Sequence, residues 1–296
     1  HRDLHLSIRR QRQMCIRDSP LSMRAQLAED FDILPITVQA GQMSSDGTIK
    51  FAFALHDKSL VEGVLIPAED RMTACISSQV GCSLSCKFCA TGYMDRKRNL
   101  DSAEIYDQVV EIDKQARKHF DLPLSNIVFM GMGEPLLNYN NVLKGIERIT
   151  ALDGLNMSPK RITISTAGIA KMIIKLADDR VKFNLALSMH AANDLKRNQI
   201  MPINESNTLE VLKESLLYFY QQTGNRITFE YIVFHNFNDS LKDAKDLWHF
   251  AKSIPSNINI IEYNQITEAQ YQNTTKYKLD QFANFLRSKK LVVNVR

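Results

Sequence analysis

After Arg71 the chain repeats one pattern: a short apolar run, a polar turn, then a longer stretch in which apolar residues recur every three or four positions. The short runs predict strands over Thr73–Ser77, Asn126–Met130, Arg161–Thr166, Lys182–Met189, Arg226–Phe234 and Asn257–Tyr263. They are continuously apolar or β-branched, as expected of parallel strands covered on both faces. Helices are predicted between them, over Asp101–Lys118, Tyr139–Ile149, Ile169–Ala177, Thr208–Tyr220, Ser240–Ser253 and Tyr277–Lys289. In the first of these, Asp101 and Glu104 have capping-box spacing, and Ile105, Val109 and Ile112 fall on one face. Alternating strands and helices imply an α/β fold, either a parallel barrel or a doubly wound sheet. Before Arg71, Ile49–Ile66 predicts two strands around a polar turn, preceded by an Asp46-Gly47 turn.

Three segments follow: an atypical leader over 1–20, an extension with a β-hairpin over 21–71, and a core barrel over 72–296. The leader carries five arginines and begins without Met; it is expected not to be native, and Cys15 within it is given no role. The composition, 44% hydrophobic and 24% charged, is that of a globular protein. No apolar run approaches the roughly 20 residues of a membrane span. A net charge of +4 permits a nucleic-acid partner without demanding one.

Four of the five cysteines, Cys75, Cys82, Cys86 and Cys89, crowd into fifteen positions. That clustering argues against a secreted disulfide framework and for a metal or redox site in a reducing cytoplasm. Cys82, Cys86 and Cys89 are spaced C-x3-C-x2-C. A structural zinc site takes four ligands, usually two C-x2-C pairs, and no second pair exists in the sequence. Three thiolates suit a four-iron cluster with one iron open to an exogenous molecule. Zinc is the alternative, and a metal-free loop a third reading. The other polar motifs also close predicted strands: GMGEP (Gly131–Pro135), STAG, SMH and Asn264. In α/β folds that rim is where functional groups gather.

The cysteine motif, with Phe88 before its last member, resembles the signature of radical S-adenosylmethionine enzymes. The resemblance implies a partial (β/α)6 radical-SAM barrel, a [4Fe–4S] cluster and S-adenosylmethionine bound at the open iron. GMGEP resembles the segment that binds the methionine moiety. Together, TACISSQVGCSLSCKFCATG, VFMGMGEPLLN, ITISTAG, LALSMHA and IMPIN resemble the dual-specificity RNA methyltransferases, which methylate C2 of an adenine in 23S rRNA and in tRNAs. In that family a cysteine near the C-terminus carries the methyl group, and a second cysteine resolves the protein–RNA adduct by forming a disulfide. Cys75 stands at the resolving position and Glu62 at that of the proton acceptor. Gly133, Glu134, Ser165, Ser188, Met189, His190 and Asn264 stand at cofactor positions. The resemblance further implies a low-potential electron donor such as flavodoxin or ferredoxin, and a cytoplasmic monomer without a membrane partner. The basic residues of Asp95–Arg98, and Lys196–Arg197, are candidate phosphate contacts.

The resemblance runs from about Arg24 to Arg296, yet no cysteine follows Cys89. These 296 residues are therefore expected to bind the cofactors without completing methyl transfer, with much of the family's RNA-binding accessory domain missing. Three other readings stand beside this one: the sister group that methylates C8, a radical enzyme with another substrate, and a non-catalytic RNA-binding module held by zinc.

Overall fold

A computed structural model describes residues 20–23 and 36–296; the leader through Ser19, with Cys15, lies outside the described residues. The chain divides into two compact units. The first runs up to Val80 and takes in Asn99–Gly131 and Asn138–Arg161; the second holds Gly81–Arg98, Met132–Leu137 and Ile162–Arg296. The α/β expectation holds in both.

In the first unit, strands β1 (Ile36–Met43), β2 (Ile49–Leu55), β3 (Leu60–Ala68) and β4 (Arg71–Cys75) pair antiparallel in order. The β1–β2 turn is set by Asp46, whose Oδ1 accepts the Thr48 amide at 3.0 Å. The two-residue strands β5 (Gln79–Val80) and β6 (Arg98–Asn99) lie where the chain leaves and re-enters this unit. Helix α1 (Ser102–Phe120) starts with the expected capping box: Asp101 accepts the Glu104 amide, and Glu104 accepts that of Asp101. Its stripe of Ile105, Val109, Ile112 and Ala116 is buried. Strand β7 (Asn126–Phe129) lies parallel to β4, and helix α2 (Tyr139–Thr150) follows. Pairing places Lys50 opposite Val64, and Val64 opposite Cys75, so these three share a face with Glu62.

The second unit is built on five parallel strands, each beside the next: β8 (Ile162–Thr166), β9 (Asn184–Ser188), β10 (Ile227–Ile232), β11 (Ser256–Ile261) and β12 (Val292–Val295). Helices α3 (Ala170–Asp178), α4 (Asp194–Ile200), α5 (Leu209–Thr223), α6 (Leu241–Ala251) and α7 (Lys276–Ser288) connect them. Phe229 of β10 packs on Phe250 of α6, and Tyr231 on Phe282 of α7, with ring centroids 5.6 and 5.4 Å apart. Each buried side chain of this kind contributes about 1.5–3 kcal/mol.

These strands are covered on both faces as expected, but the expectation of continuously apolar or β-branched runs is corrected, because one face is polar. They alternate: Ile162 and Ile164, Leu185 and Leu187, Ile227 and Phe229, and Ile258 and Ile260 take one face, whereas Thr163 and Ser165, Asn184 and Ser188, Thr228 and Glu230, and Asn257 and Asn259 take the other. One pairing row, Ser188–Glu230–Asn259–Asn294, is polar across four strands. Among the described residues, no helix is long and apolar enough to cross a membrane.

Candidate cofactor site

The three spaced cysteines occupy one loop of the second unit, each partly exposed as a free thiol. Cys89 N donates to Cys86 O at 3.3 Å, and Gly92 N to Cys89 O at 2.8 Å, closing a short 3-10 turn over Ala90–Tyr93. Glycine is required at position 92, because a Cβ there would stand 2.4 Å from Cys86 O. The loop is anchored by Lys87 N, which donates to Ile200 O at the end of α4 at 2.9 Å. Leu84, Cys86 and Phe88 pack against a buried cluster that includes Ala167, Ile200, Met201, Phe234 and Tyr263.

Burial pushes the Cys86 thiol up to about 12, and charges on Cys89, Cys82 and Glu134 add to the rise. Burial also raises Cys82, against a backbone hydrogen bond at Leu84. Among the described residues, no three His, Cys, Asp or Glu side chains converge as a ready-made metal cage. Thiolates that repel one another converge when a cation neutralises them. Three soft sulfur donors on one loop, each within electrostatic reach of another, are a donor set that suits an iron–sulfur cluster.

The other predicted cofactor residues of this unit lie at strand ends. Gly133 takes a positive φ of 93°. The buried Glu134 carboxylate accepts the amides of Ala167 (2.8 Å) and Leu136 (3.0 Å), which hold its pKa down against the larger raising effect of burial. Ser165 and Ser188 approach with Oγ atoms 3.4 Å apart. Met189 is fully buried; its amide donates to Glu230 O at 2.9 Å.

His190 is buried in the left-handed region (φ 49°), and its ring meets Phe88 edge-on at 4.6 Å. Burial pulls its pKa down to about 3, so the imidazole is neutral. Nδ1 accepts the Ile232 amide at 3.1 Å, which places the proton on Nε2 as the donor left for a ligand. Asn264 is exposed beyond β11.

The two residues read as catalytic lie in the first unit. Cys75 ends β4 as a buried free thiol, pushed up to about 12 by burial and by the Glu62 carboxylate, with a backbone hydrogen bond at Met130 opposing. Glu62 is about half exposed on β3 and pairs with Lys50 Nζ at 2.6 Å. The four described cysteines are all free thiols.

One expectation fails for Arg197, which is fully buried and out of reach of a phosphate. Lys196, about a third exposed, has its Nζ bound to Asp243 Oδ1 and Phe237 O, each at 2.5 Å. Arg96 and Lys97 are exposed as expected. Sequence reading also missed the buried pair Glu230 and Asn259, joined by a hydrogen bond of 2.9 Å and extended by Asn294 to Asn259 at 3.1 Å. The available signal was a lone acid inside RITFEYIVF and asparagines at alternate positions in NINIIEY.

Comparison with known proteins shows the family and the fold. The model of the Radical SAM superfamily matches residues 76–247, so fold and cysteine loop together define a radical SAM protein. The probable dual-specificity RNA methyltransferase RlmN of Cytophaga hutchinsonii is 66% identical over 273 residues, covering 92% of this chain and 75% of that protein. The protein of the same name from Christiangramia forsetii is 54% identical, with 92% and 78% covered. The crystal structure of a radical SAM methyltransferase from Sphaerobacter thermophilus superposes with a TM-score of 0.90 at 34% identity, covering 95% of this chain and 82% of that one. The chain belongs to the RlmN family of radical SAM RNA methyltransferases.

Proposed function

We propose that the protein methylates C2 of an adenine in 23S rRNA and in tRNAs, through a methyl group carried on cysteine. The observation that supports this most is the docking of the three-thiol loop on α4, within the unit that also holds Glu134, Ser165, Ser188 and His190. Cys82, Cys86 and Cys89 would hold a [4Fe–4S] cluster. Bound there, such a cluster supplies the electron that cleaves S-adenosylmethionine reductively.

The chain's own residues do the rest. The glycines of GMGEP let the main chain approach a ligand. Ser165 and Ser188 offer hydroxyls, and His190 Nε2–H a neutral donor, suited to a nucleoside. Asn264 adds an exposed amide beyond β11. Adding a carbon to C2 requires loss of the C2 proton, and Glu62 is the carboxylate assigned to accept it. Cys75 is assigned to release the product by forming a disulfide with the carrier cysteine. Its buried, protonated thiol is unreactive until it loses its proton. The carrier is not among the five cysteines of this sequence. Arg96 and Lys97 would contact RNA phosphates.

The test uses the chain extended past Arg296 by a family segment containing a cysteine, reconstituted anaerobically and given unmodified 23S rRNA and a low-potential reductant such as reduced flavodoxin. The reading predicts 2-methyladenine by mass spectrometry, and loss of product in Cys75→Ala. An 8-methyladenine product assigns the sister reaction, and no methylated adenine overturns the proposal.

A further inference from the structure

Arg197 sits on α4, and none of its side chain reaches solvent. A guanidinium persists in such a place only where acceptors meet its N–H groups. Nη2 donates to Ala167 O at 2.6 Å and to Ser188 O at 3.0 Å, Nε to Met189 O at 3.2 Å, and Nη1 to Asn204 Oδ1 at 2.7 Å. Three of these four acceptors are main-chain carbonyls at the C-terminal ends of β8 and β9. Those ends carry Ser165, Ser188 and His190.

The same short helix holds the cysteine loop, since Ile200 O accepts the Lys87 amide between Cys86 and Cys89. Asn204 is fixed in turn by Asp194 Oδ1 and Asn198 Oδ1, at 2.7 and 2.6 Å. Burial pulls Arg197 down to about 10, with Cys86 and Asp194 opposing, so it remains a cation at neutral pH.

We propose that Arg197 is a positioning residue for S-adenosylmethionine: by gathering the carbonyls of Ala167, Ser188 and Met189 it sets the spacing of Ser165, Ser188 and His190 around the cofactor. The inference rests on the cofactor assignment above. A planar fork matches carbonyls approaching from several directions; a lysine ammonium, a compact point charge, cannot span them. Arg197 touches no reacting atom, so its effect is on affinity and geometry.

The experiment compares the reconstituted wild-type chain with Arg197→Lys and with Asn204→Ser, which removes one acceptor of the guanidinium and leaves the charge in place. Melting temperature, iron and sulfide content, the dissociation constant for S-adenosylmethionine, and the EPR spectrum of the reduced protein with the cofactor are read for each. Loss of a supporting interaction of this kind weakens binding about 10- to 100-fold. Arg197→Lys is expected to fold and load iron near wild-type levels, to bind S-adenosylmethionine at least about tenfold more weakly, and to show an altered cofactor-dependent EPR change. Asn204→Ser shifts in the same direction by less, and decides the matter if Arg197→Lys does not fold. Wild-type affinity and spectrum in whichever variant folds overturn the role, as does collapse of both, which makes the network one of folding alone. If the wild-type chain loads iron but binds no S-adenosylmethionine, the cofactor assignment itself falls and takes this role with it.

Discussion

Glu134 Oε2 accepts the main-chain amide of Ala167 at 2.8 Å, clipping the GMGEP turn to the end of β8. The other oxygen takes the Leu136 amide at 3.0 Å, so both sides of one buried carboxylate are committed to backbone. Glutamine at this position would present an N–H to one of those two donors. Glu134→Gln is therefore expected to cost about 1.5–3 kcal/mol, read as a lower denaturant midpoint, and to weaken S-adenosylmethionine binding. An unchanged midpoint would remove the clip from the account.

Gly92 tests the loop itself. A Cβ at this position would stand only 2.4 Å from Cys86 O, so alanine must push Cys86 away from its place. Gly92→Ala is expected to melt within a few degrees of wild type, since the change is local to a surface loop, and to take up clearly less iron on reconstitution. Full iron loading would show that the turn tolerates a wider geometry than the folded chain adopts.

Glu230 gives a pH-dependent prediction. Burial raises its pKa, against the Asn259 hydrogen bond and the Arg296 charge. An acid whose folded pKa is raised contributes stability below its unfolded value of about 4.3, and that contribution is lost as pH rises through the folded value. Glu230→Gln keeps the shape and removes the titration. The stability difference between variant and wild type should therefore move in favour of the variant from pH 4 to pH 7, as followed by urea midpoints. A difference constant with pH would mean that Glu230 is solvated as well in the native chain as in the unfolded one.

The basic residues separate into two kinds. Arg96 and Lys97 are exposed, whereas Lys196 is bound to the buried Asp243. Arg96→Ala and Lys97→Ala should lower RNA affinity and reduce the salt slope by about 0.7–0.9 each. Lys196→Ala should leave the slope unchanged and cost about 1–2 kcal/mol of stability, discounted for its partial exposure. Equal slopes in all three variants would contradict the separation.

What the sequence revealed and what it hid have physical causes. Helix α1 was legible because Asp101 and Glu104 cap it and its apolar stripe is regular over nineteen residues. The cysteine loop was legible because ligand spacing is a local property. Helix α4 was not: seven residues make barely two turns, Leu195 on it is exposed, and its decisive residue, Arg197, looks in sequence like any surface charge. Only the fold supplies the four acceptors that let that charge be buried. Strand β1 was missed because seven of its eight residues are exposed, so it lacks the half-apolar alternation that marks a strand. The polar face of β8–β12 was masked by small and β-branched residues, Thr163, Ala186 and Thr228, that read as apolar within a run.

The central claim is that Cys82, Cys86 and Cys89 hold a cluster with an open iron that meets S-adenosylmethionine. Its most direct test is EPR spectroscopy of the anaerobically reconstituted, dithionite-reduced chain, recorded with and without S-adenosylmethionine. The account predicts a [4Fe–4S]+ signal that changes shape when the cofactor is added and disappears in Cys86→Ala. A chain that takes up zinc in place of iron, or a cluster signal indifferent to S-adenosylmethionine, would contradict it.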